Sequence, residues 1–224
     1  MKIWHISDTH KYHGLLDIPD NIDMVIFSGD CSNPRDPYLN KPEVEDFLAW
    51  YESLPIKYKI FVAGNHDTSI ERGLIHKLDF ASKGIIYLEN NYTEIEGLKI
   101  WGSPITPTFG DWAFMKARHK THELWQQIPN NTDIVIIHGP PANVLDLSYN
   151  RLNQLEFCGD KALKKRLIDI NPKLVCFGHI HNCDDIINAG TMKLSIRDTI
   201  YSNGNVVTDG KFGKLSSNGN IIEI

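Results

Sequence analysis

The chain has 224 residues, a length that suits one domain with a substantial core and leaves little room for two, so we expect a single domain over residues 1–224. Hydrophobic residues make up 42% and charged residues 23%, which excludes a disordered chain or a fibrous repeat. The formal net charge of -5 gives no general attraction to nucleic acid or to an acidic membrane surface, so a substrate phosphate would have to be held locally.

The first residues and the cysteines bear on the cellular compartment. Residues 1–10 read MKIWHISDTH and lack a charged segment followed by a long apolar run, so we expect no secretory signal, and no stretch approaches transmembrane length. The four cysteines lie far apart without a CxxC pair, which fits neither a zinc ribbon nor a dense disulfide framework. They are Cys31, Cys158, Cys176 and Cys183. We therefore predict reduced thiols in a cytoplasmic protein without a membrane segment.

In the first half of the chain, three apolar runs are each followed by a polar cluster. Residues 2–6, 23–28 and 58–63 are predicted to be short buried strands, which end in SDTH, SGDCSN and GNHD. Between the second and third strands, apolar residues at helical spacing predict a helix over residues 41–53, with Pro42 in its first turn.

The second half continues the alternation of strands and helices. Further strands are predicted over residues 85–88, 92–95, 98–102, 134–137 and 173–177. A Glu-Gly turn at 96–97 would make an antiparallel pair of its two flanking strands. Helical spacing recurs over residues 121–128 and 161–170, and Asp160 is a suitable cap for the second helix.

The tail and the overall alternation indicate the fold class. From residue 199 on, Asn-Gly pairs at 203–204 and 218–219 predict the turns of a closing β-meander. Strands that alternate with helices, together with an antiparallel portion, indicate an α/β sandwich. The longest segment without clear periodicity, residues 103–120, is predicted to be a substrate-facing rim. Its aromatic residues, Trp112 among them, are interpreted as loop-anchoring hydrophobes, with base stacking as the alternative.

Metal-capable side chains recur where the predicted strands end. They are Asp8, His10, Asp30, Asn65, His66, Asp67, His138, His179 and His181. The carboxyl ends of strands in an α/β sheet open on one crevice, so these distant residues can converge there. Imidazole and carboxylate groups suit manganese, iron, zinc or nickel, and the near-absence of thiolates argues against a structural zinc site. The pattern therefore predicts a catalytic metal site.

The order of these residues resembles the calcineurin-like metallophosphoesterases, whose five blocks read D-x-H, G-D, G-N-H-[DE], H and G-H-x-H. Here the blocks are Asp8-Thr9-His10, Gly29-Asp30, Gly64-Asn65-His66-Asp67, His138 and Gly178-His179-Ile180-His181. WGSP at 101–104 and HGPP at 138–141 are similar to the metallophosphoesterase-domain-containing subgroup, which has cyclic-nucleotide phosphodiesterase activity. The resemblance implies a four-layer αββα sandwich with mixed β-sheets.

The same resemblance implies two divalent metal ions and a set of ligands for each. The first metal would be bound by Asp8, His10 and His181, and the second by Asn65, His138 and His179, with Asp30 bridging the two. Some animal members have glycine in place of His179, so its presence here predicts an intact second site. Two metals about 3.5–4 Å apart make hydroxide from a bridging water, which would be the nucleophile. Manganese is the favoured metal, with iron, zinc, nickel or magnesium as alternatives.

Two catalytic residues and one substrate-binding residue complete the predicted site. His66 would face the leaving-group oxygen and donate a proton or a hydrogen bond, and Asp67 would orient His66. Arg118, which follows the aromatic segment, is predicted from its position to meet a phosphate oxygen through its planar guanidinium.

We therefore expect an enzyme that hydrolyses a phosphodiester, either a cyclic nucleotide or a small nucleotide-like diester. The first alternative is a phosphomonoesterase; protein phosphatases of this fold carry G-D-x-x-D-R-G, whereas residues 29–35 here read GDCSNPR. A nuclease would have extra domains and a basic track, so extended nucleic acid is not expected as a partner. A non-catalytic scaffold is a third alternative, against which the intact Asp8, His66 and His179 argue. The oligomeric state is left open.

Overall fold

Two mixed β-sheets lie at the centre of the molecule in the computed structural model, which describes residues 1–183, 185–194, 198–209 and 213–224. The strands of the described residues are β1 (Lys2–Ile6), β2 (Met24–Ser28), β3 (Tyr58–Val62), β4 (Ile85–Tyr87), β5 (Asn91–Ile95), β6 (Leu98–Ser103), β7 (Thr106–Pro107), β8 (Met115–Lys116), β9 (Ile134–Ile137), β10 (Leu147–Tyr149), β11 (Leu155–Phe157), β12 (Leu174–Phe177), β13 (Gly190–Lys193), β14 (Ile200–Asn203) and β15 (Asn220–Glu223). The α-helices are α1 (Pro37–Ser53), α2 (Thr68–Glu71), α3 (Lys77–Ser82), α4 (Thr121–Trp125) and α5 (Lys161–Ile170).

Each large sheet has a parallel centre, and the first has one antiparallel edge strand whereas the second has two. The first sheet has the order β15-β1-β2-β3-β4, in which β1 to β4 are parallel and β15 is antiparallel to β1. The second has the order β13-β14-β12-β9-β6-β5, in which β14, β12, β9 and β6 are parallel. Because the central strands of each sheet are parallel, their carboxyl ends form one edge of that sheet.

The period-two alternation of the central strands produces the layers. In β2, Met24 and Ile26 pack between the sheets, whereas Val25 and Phe27 pack under α1. In β9, Ile134 and Ile136 likewise pack between the sheets, whereas Val135 and Ile137 pack with residues of α4 and α5. Both faces of these strands are buried, which is why they read as continuous apolar runs. The predicted four-layer αββα sandwich is confirmed.

The first helix begins earlier than its apolar spacing predicts. The Asp36 carboxylate accepts hydrogen bonds from the backbone N–H groups of Tyr38 at 2.8 Å and Leu39 at 3.2 Å, so it is the N-cap and Pro37 occupies the first position. Pro42 therefore lies inside the helix and not at its start. The other predicted cap is confirmed, since the Asp160 carboxylate accepts the N–H of Ala162 at 2.7 Å.

The predicted closing β-meander is wrong, because the two tail strands join different sheets. β14 lies parallel to β12 in the second sheet, whereas β15 lies antiparallel to β1 in the first. Gly204 is packed against the His5 ring, where a Cβ atom would lie 2.7 Å from the imidazole. The Asn-Gly pair at 203–204 therefore gives close packing and not a hairpin turn. Residues 210–212 of the tail lie outside the described residues.

The predicted antiparallel pair of β5 and β6 is confirmed. Glu96 and Gly97 between them have φ values of 50° and 78°, the left-handed conformation that a tight two-residue turn requires. Within the described residues, we find no helix with both the length and the apolar character that a membrane span requires.

Candidate metal centre

The predicted metal residues all follow strands that end at one edge of the sandwich. Those after β1, β2 and β3 come from the first sheet, and those after β9 and β12 come from the second. The sheets pack face to face through one apolar cluster, so both sets of strand ends meet above it. The convergence predicted from the sequence is therefore present in the fold.

One group of potential ligands consists of Asp8, His10 and His181. Their ligand atoms lie within 4.8 Å of one another. His181 Nε2 is 3.2 Å from Asp8 Oδ1, and the backbone N–H of His179 donates to both oxygens of the Asp8 carboxylate, at 2.9 and 3.1 Å. This group coincides with the predicted ligands of the first metal.

A second group consists of Asp30, His138 and His179, whose ligand atoms also lie within 4.8 Å of one another. His138 Nε2 is 3.2 Å from Asp30 Oδ2 and 3.0 Å from Asn65 Oδ1, so the asparagine lies beside this group. The imidazole and carboxylate donors of both groups suit a divalent transition metal. The residues present therefore fit the two ions that the motif implies.

Backbone carbonyl groups set the orientation of two histidine rings. His10 Nδ1 donates to the Ser32 carbonyl at 3.1 Å, and His138 Nδ1 donates to the Ser28 carbonyl at 2.8 Å. In both rings the Nε2 atom is left to face the cluster. This is the usual arrangement for a metal-binding histidine, because the hydrogen bond selects the tautomer and raises the basicity of the other nitrogen.

The ligand-bearing turns are strained. Four of the proposed ligands, Asp8, His10, Asp30 and His179, have φ values of 52°, 40°, 62° and 68°. A residue other than glycine in this left-handed region costs about 1 kcal/mol or more. Such outliers persist only where the surrounding structure requires them, and here they turn polar side chains inward at strand ends.

Two glycines allow the backbones of neighbouring turns to approach closely. A Cβ atom on Gly178 would lie 2.0 Å from Asp8 Oδ2, and one on Gly64 would lie 2.3 Å from Asp30 Oδ1. Both positions precede predicted ligands, so glycine in these motifs provides space for a carboxylate from another turn.

The Asp67 carboxylate connects the turn after β2 with the turn after β3. Among the hydrogen bonds of the described residues, none joins Asp67 to the His66 ring. Its carboxylate accepts the backbone N–H groups of Gly64 at 2.7 Å and of Asp30 and Cys31 at 3.0 Å each. Burial, followed by the charge of Asp30, raises the pKa of Asp67. The predicted orienting effect on His66 would therefore act through the backbone, because His66 Nδ1 faces the Asn33 carbonyl at 3.2 Å.

Buried charges shift the pKa values of the ligands in the metal-free protein. Burial alone would raise the pKa of Asp30, but the charge of His138 and other nearby histidines holds it well below its usual range. Burial alone would lower the pKa of His138, but the charge of Asp30 and its hydrogen bond raise it to about 9. Burial, then the charge of His138, lowers the pKa of His179 to about 3.

Metal binding at pH 7 should therefore release protons, because His138 must lose its proton before Nε2 can bind an ion. His179 is already neutral and has none to lose. We expect the apparent affinity of this group for Mn²⁺ to rise about tenfold per pH unit from pH 7 towards pH 9 and then to level off. Calorimetric titration in buffers of different ionisation enthalpy counts the released protons, and the absence of any release at pH 7 would contradict the prediction.

A cleft of about 950 Å³ opens beside the two groups and contains Arg118. The Arg118 guanidinium donates to the Gly159 carbonyl at 2.9 Å and to the Cys158 carbonyl at 3.1 Å. Arg118 thus lies on the cleft wall, where it supports the turn before α5. Its contact with a substrate phosphate stays a prediction.

His5 is a buried histidine to which the sequence pattern assigned no role. His5 Nδ1 is hydrogen-bonded to Ser202 Oγ at 2.7 Å and His5 Nε2 to Ser28 Oγ at 2.9 Å, so the ring joins the two sheets. Burial lowers its pKa to about 3. Ser28 also provides the carbonyl that orients His138. The available signal was a histidine at an inward-facing position of an otherwise apolar strand.

Comparisons with known proteins identify the family of this chain. The family model described as calcineurin-like phosphoesterase matches residues 1–183. Human metallophosphoesterase domain-containing protein 1 is 31% identical over 229 residues, which cover 91% of this chain and 65% of the human protein. A protein of Emericella nidulans named probable rhamnogalacturonate lyase C is 35% identical over 188 residues, which cover 79% of this chain and 16% of that protein. The chain thus spans less than two thirds of either relative.

A solved structure shares the fold at low sequence identity. The crystal structure of phosphopantetheinyl hydrolase from Mycobacterium tuberculosis superimposes with a TM-score of 0.56 and 13% identity, and the match covers 92% of this chain and 89% of that one. At this identity the likeness concerns the fold alone. Because the family model extends over all five motif blocks, the chain belongs to the calcineurin-like phosphoesterase family.

Proposed function

We propose that this protein is a metal-dependent phosphodiesterase that acts on a small, nucleotide-like diester. The observation that carries the proposal is the pair of ligand groups beside His66, one around Asp8 and one around Asp30. Asp8, His10 and His181 would hold one ion, Asn65, His138 and His179 the other, and Asp30 both. Divalent metals, of which we favour Mn²⁺, supply an activated water and neutralise charge on the phosphate oxygens when they are bound.

His66 is the proposed proton donor to the leaving group. Its ring is half-buried and lines the cleft, and its Nδ1 faces the Asn33 carbonyl, which leaves Nε2 for the substrate. In the reaction, a water would lose one proton to solvent, its oxygen would bond to phosphorus, and the P–O bond to the leaving group would break. The leaving oxygen takes the proton from His66, a contribution that is typically about 10²- to 10⁴-fold in rate.

The cleft supports a small substrate. Its volume of about 950 Å³ lies within the range of ligand sites for small molecules. Beyond the ligand groups its wall includes the cations Arg118 and Lys161 together with the carboxylates Glu156, Asp160 and Asp209, in a chain with a net charge of -5. Local cations of this kind suit a substrate with anionic or nucleotide-like character, and we propose that Arg118 is among the groups that meet it.

We also infer that one domain over residues 1–224 carries the activity and that it acts in the cytoplasm. All four cysteines are free thiols, as is usual in a reducing compartment. Burial raises the pKa of the Cys31 thiol beside Asp30, and the charge of Asp67 raises it further, so this cysteine is a packing residue and not a nucleophile.

The test compares a diester with a monoester in the same protein. Protein stripped with chelator is reloaded with Mn²⁺ and assayed with bis(p-nitrophenyl) phosphate and with p-nitrophenyl phosphate. We expect turnover that requires metal and prefers the diester. Preference for the monoester would support a phosphatase instead, and no turnover by folded, metal-loaded protein would overturn the proposal.

A matched pair of variants distinguishes the proposed role of His66 in catalysis from the general effect of removing a histidine. His66→Ala should lower turnover of methyl phenyl phosphate, a diester with a poor leaving group, by about 10²-fold or more, because it removes the proposed proton donor. His76→Ala removes an exposed histidine at the start of α3 and should leave turnover within about twofold of wild type. Equal losses in both variants would contradict the role of His66.

A further inference from the structure

An aromatic loop, defined as residues 103–120, packs on two histidines of the site. The Trp112 ring lies with its centroid 4.2 Å from that of His66, at an interplanar angle of 36°. The Phe109 centroid lies 5.1 Å from that of His179. The loop thus places one aromatic ring against the proposed proton donor and another against a proposed metal ligand.

Two hydrogen bonds fasten the loop to the turn that carries His66 and to the helix α2 that follows it. The N–H of Ala113 donates to the Asn65 carbonyl at 3.1 Å, and the N–H of Phe114 donates to Glu71 Oε1 at 2.7 Å. Ala113, the residue after Trp112, is therefore joined directly to Asn65, the residue before His66. The position of the indole is set by the same turn that sets the position of the imidazole.

An arginine contacts Trp112 as well. Arg35 Cζ lies 5.3 Å from the indole centroid, and Arg35 pairs with Asp111, the residue before Trp112, at 2.5 Å. A guanidinium near an aromatic ring adds an electrostatic attraction to the packing. The indole is thus held by contacts with both Arg35 and His66.

The His66 ring has few other restraints. Its Nδ1 has the hydrogen bond to the Asn33 carbonyl, and the ring meets that of His10 edge to face, with centroids 4.9 Å apart. The terminal torsion of a histidine side chain is broad, so its direction depends on such contacts. The indole of Trp112 covers a face of the half-buried His66 ring and limits its rotation.

We propose that Trp112 is a positioning residue that holds the His66 imidazole with Nε2 directed at the leaving oxygen. This inference rests on the proposed role of His66. The loss of Trp112 should therefore affect some substrates more than others, according to the leaving group. An ester whose leaving oxygen is a strong base needs the proton, whereas p-nitrophenolate departs without one. Trp112 therefore determines how well the enzyme hydrolyses diesters with poor leaving groups.

The test uses two substrates that differ only in the leaving group, methyl p-nitrophenyl phosphate and methyl phenyl phosphate, with Mn²⁺-loaded protein. In Trp112→Leu, kcat for the phenyl ester should fall about ten- to a hundredfold, since small misplacements of a catalytic group have effects of this size. The p-nitrophenyl ester should change less than about threefold, with KM unchanged for both. Trp112→Phe should restore most of the loss. Tyr92→Leu, which removes an exposed aromatic side chain from β5, is the matched control.

Other outcomes overturn the inference in distinct ways. Equal losses for both esters would indicate a structural role, and a rise in KM alone would indicate a substrate platform. His66→Ala combined with Trp112→Leu should lose no more than His66→Ala alone, and additive losses would contradict the positioning role.

A readout that does not need activity separates this inference from the proposed function. In metal-free protein at fixed pH, the ring-proton resonances of His66 should shift in Trp112→Leu, because the indole ring current is removed. An unchanged spectrum would overturn the positioning of His66 by Trp112. If the His66 resonances shift in Trp112→Leu but the ratio of the two ester rates stays as in wild type, the positioning role is overturned as well. Wild-type protein that hydrolyses neither ester would instead count against the proposed function.

Discussion

Replacement of Asp30 by alanine is expected to lower metal-dependent kcat/KM by more than about a thousandfold. Asp30 is the proposed common ligand of both ions, and it lies 3.2 Å from His138 Nε2. Its Oδ1 also accepts the backbone N–H of His66 at 2.7 Å. The substitution would therefore remove the proposed common ligand and a restraint on the turn that carries His66. Steady-state rates at saturating Mn²⁺ and the bound metal per chain, by elemental analysis, measure the effect.

The metal-free form of this variant provides a second readout. Asp8, Asp30 and Asp67 are all buried, and burial, followed by the charge of Asp30, raises the pKa of Asp67. Wild-type protein should gain thermal stability when Mn²⁺ is added, about 2.7 kcal/mol at a hundredfold excess over Kd, and Asp30→Ala should gain little. Asp169→Ala, on the exposed face of α5, is the control. A variant that keeps both metals and more than a tenth of the activity would refute the common-ligand role.

Gly178→Ala is expected to destabilise the protein by about 3 kcal/mol and to weaken the metal group around Asp8. The new Cβ atom would lie 2.0 Å from both Asp8 Oδ2 and Ser7 Oγ, which no side-chain contact tolerates. Asp8 cannot retreat easily, because it is fully buried and its carboxylate accepts the backbone N–H of His179. Either the turn after β12 or the turn after β1 must move. Urea unfolding and Mn²⁺ titration of the metal-free variant measure the two effects.

Gly14→Ala provides the control for this substitution. No heavy atom lies within 4 Å of a Cβ atom at Gly14, so that variant should differ from wild type by less than about 0.5 kcal/mol. If Gly178→Ala were as stable as Gly14→Ala and bound Mn²⁺ normally, close approach of the two turns would not be the reason for glycine at position 178.

The metal-capable residues at the strand ends could be found from local pattern, whereas their assignment to two ions came only from the family resemblance. Each follows a run such as Lys2–Ile6 or Ile134–Ile137, and both runs are strands with the predicted bounds. Central parallel strands are buried on both faces, so their sequences are continuously apolar and end abruptly in polar residues. The carboxyl ends of such strands share an edge, and for this reason Asp8 and His181 could be placed together although they are 173 positions apart.

Contacts between distant segments decided the remainder, because no local pattern encodes them. β15 pairs with β1 although its Asn-Gly turn suggested a meander, since a strand joins whichever sheet edge its apolar face can cover. Asp67 accepts hydrogen bonds from the turn after β2, and Trp112 lies against His66 from a loop without periodicity. The sequence thus determined which chemistry the strand ends carry. Only the packing of the two sheets decided which side chains orient that chemistry, because these contacts exist only once both sheets are assembled.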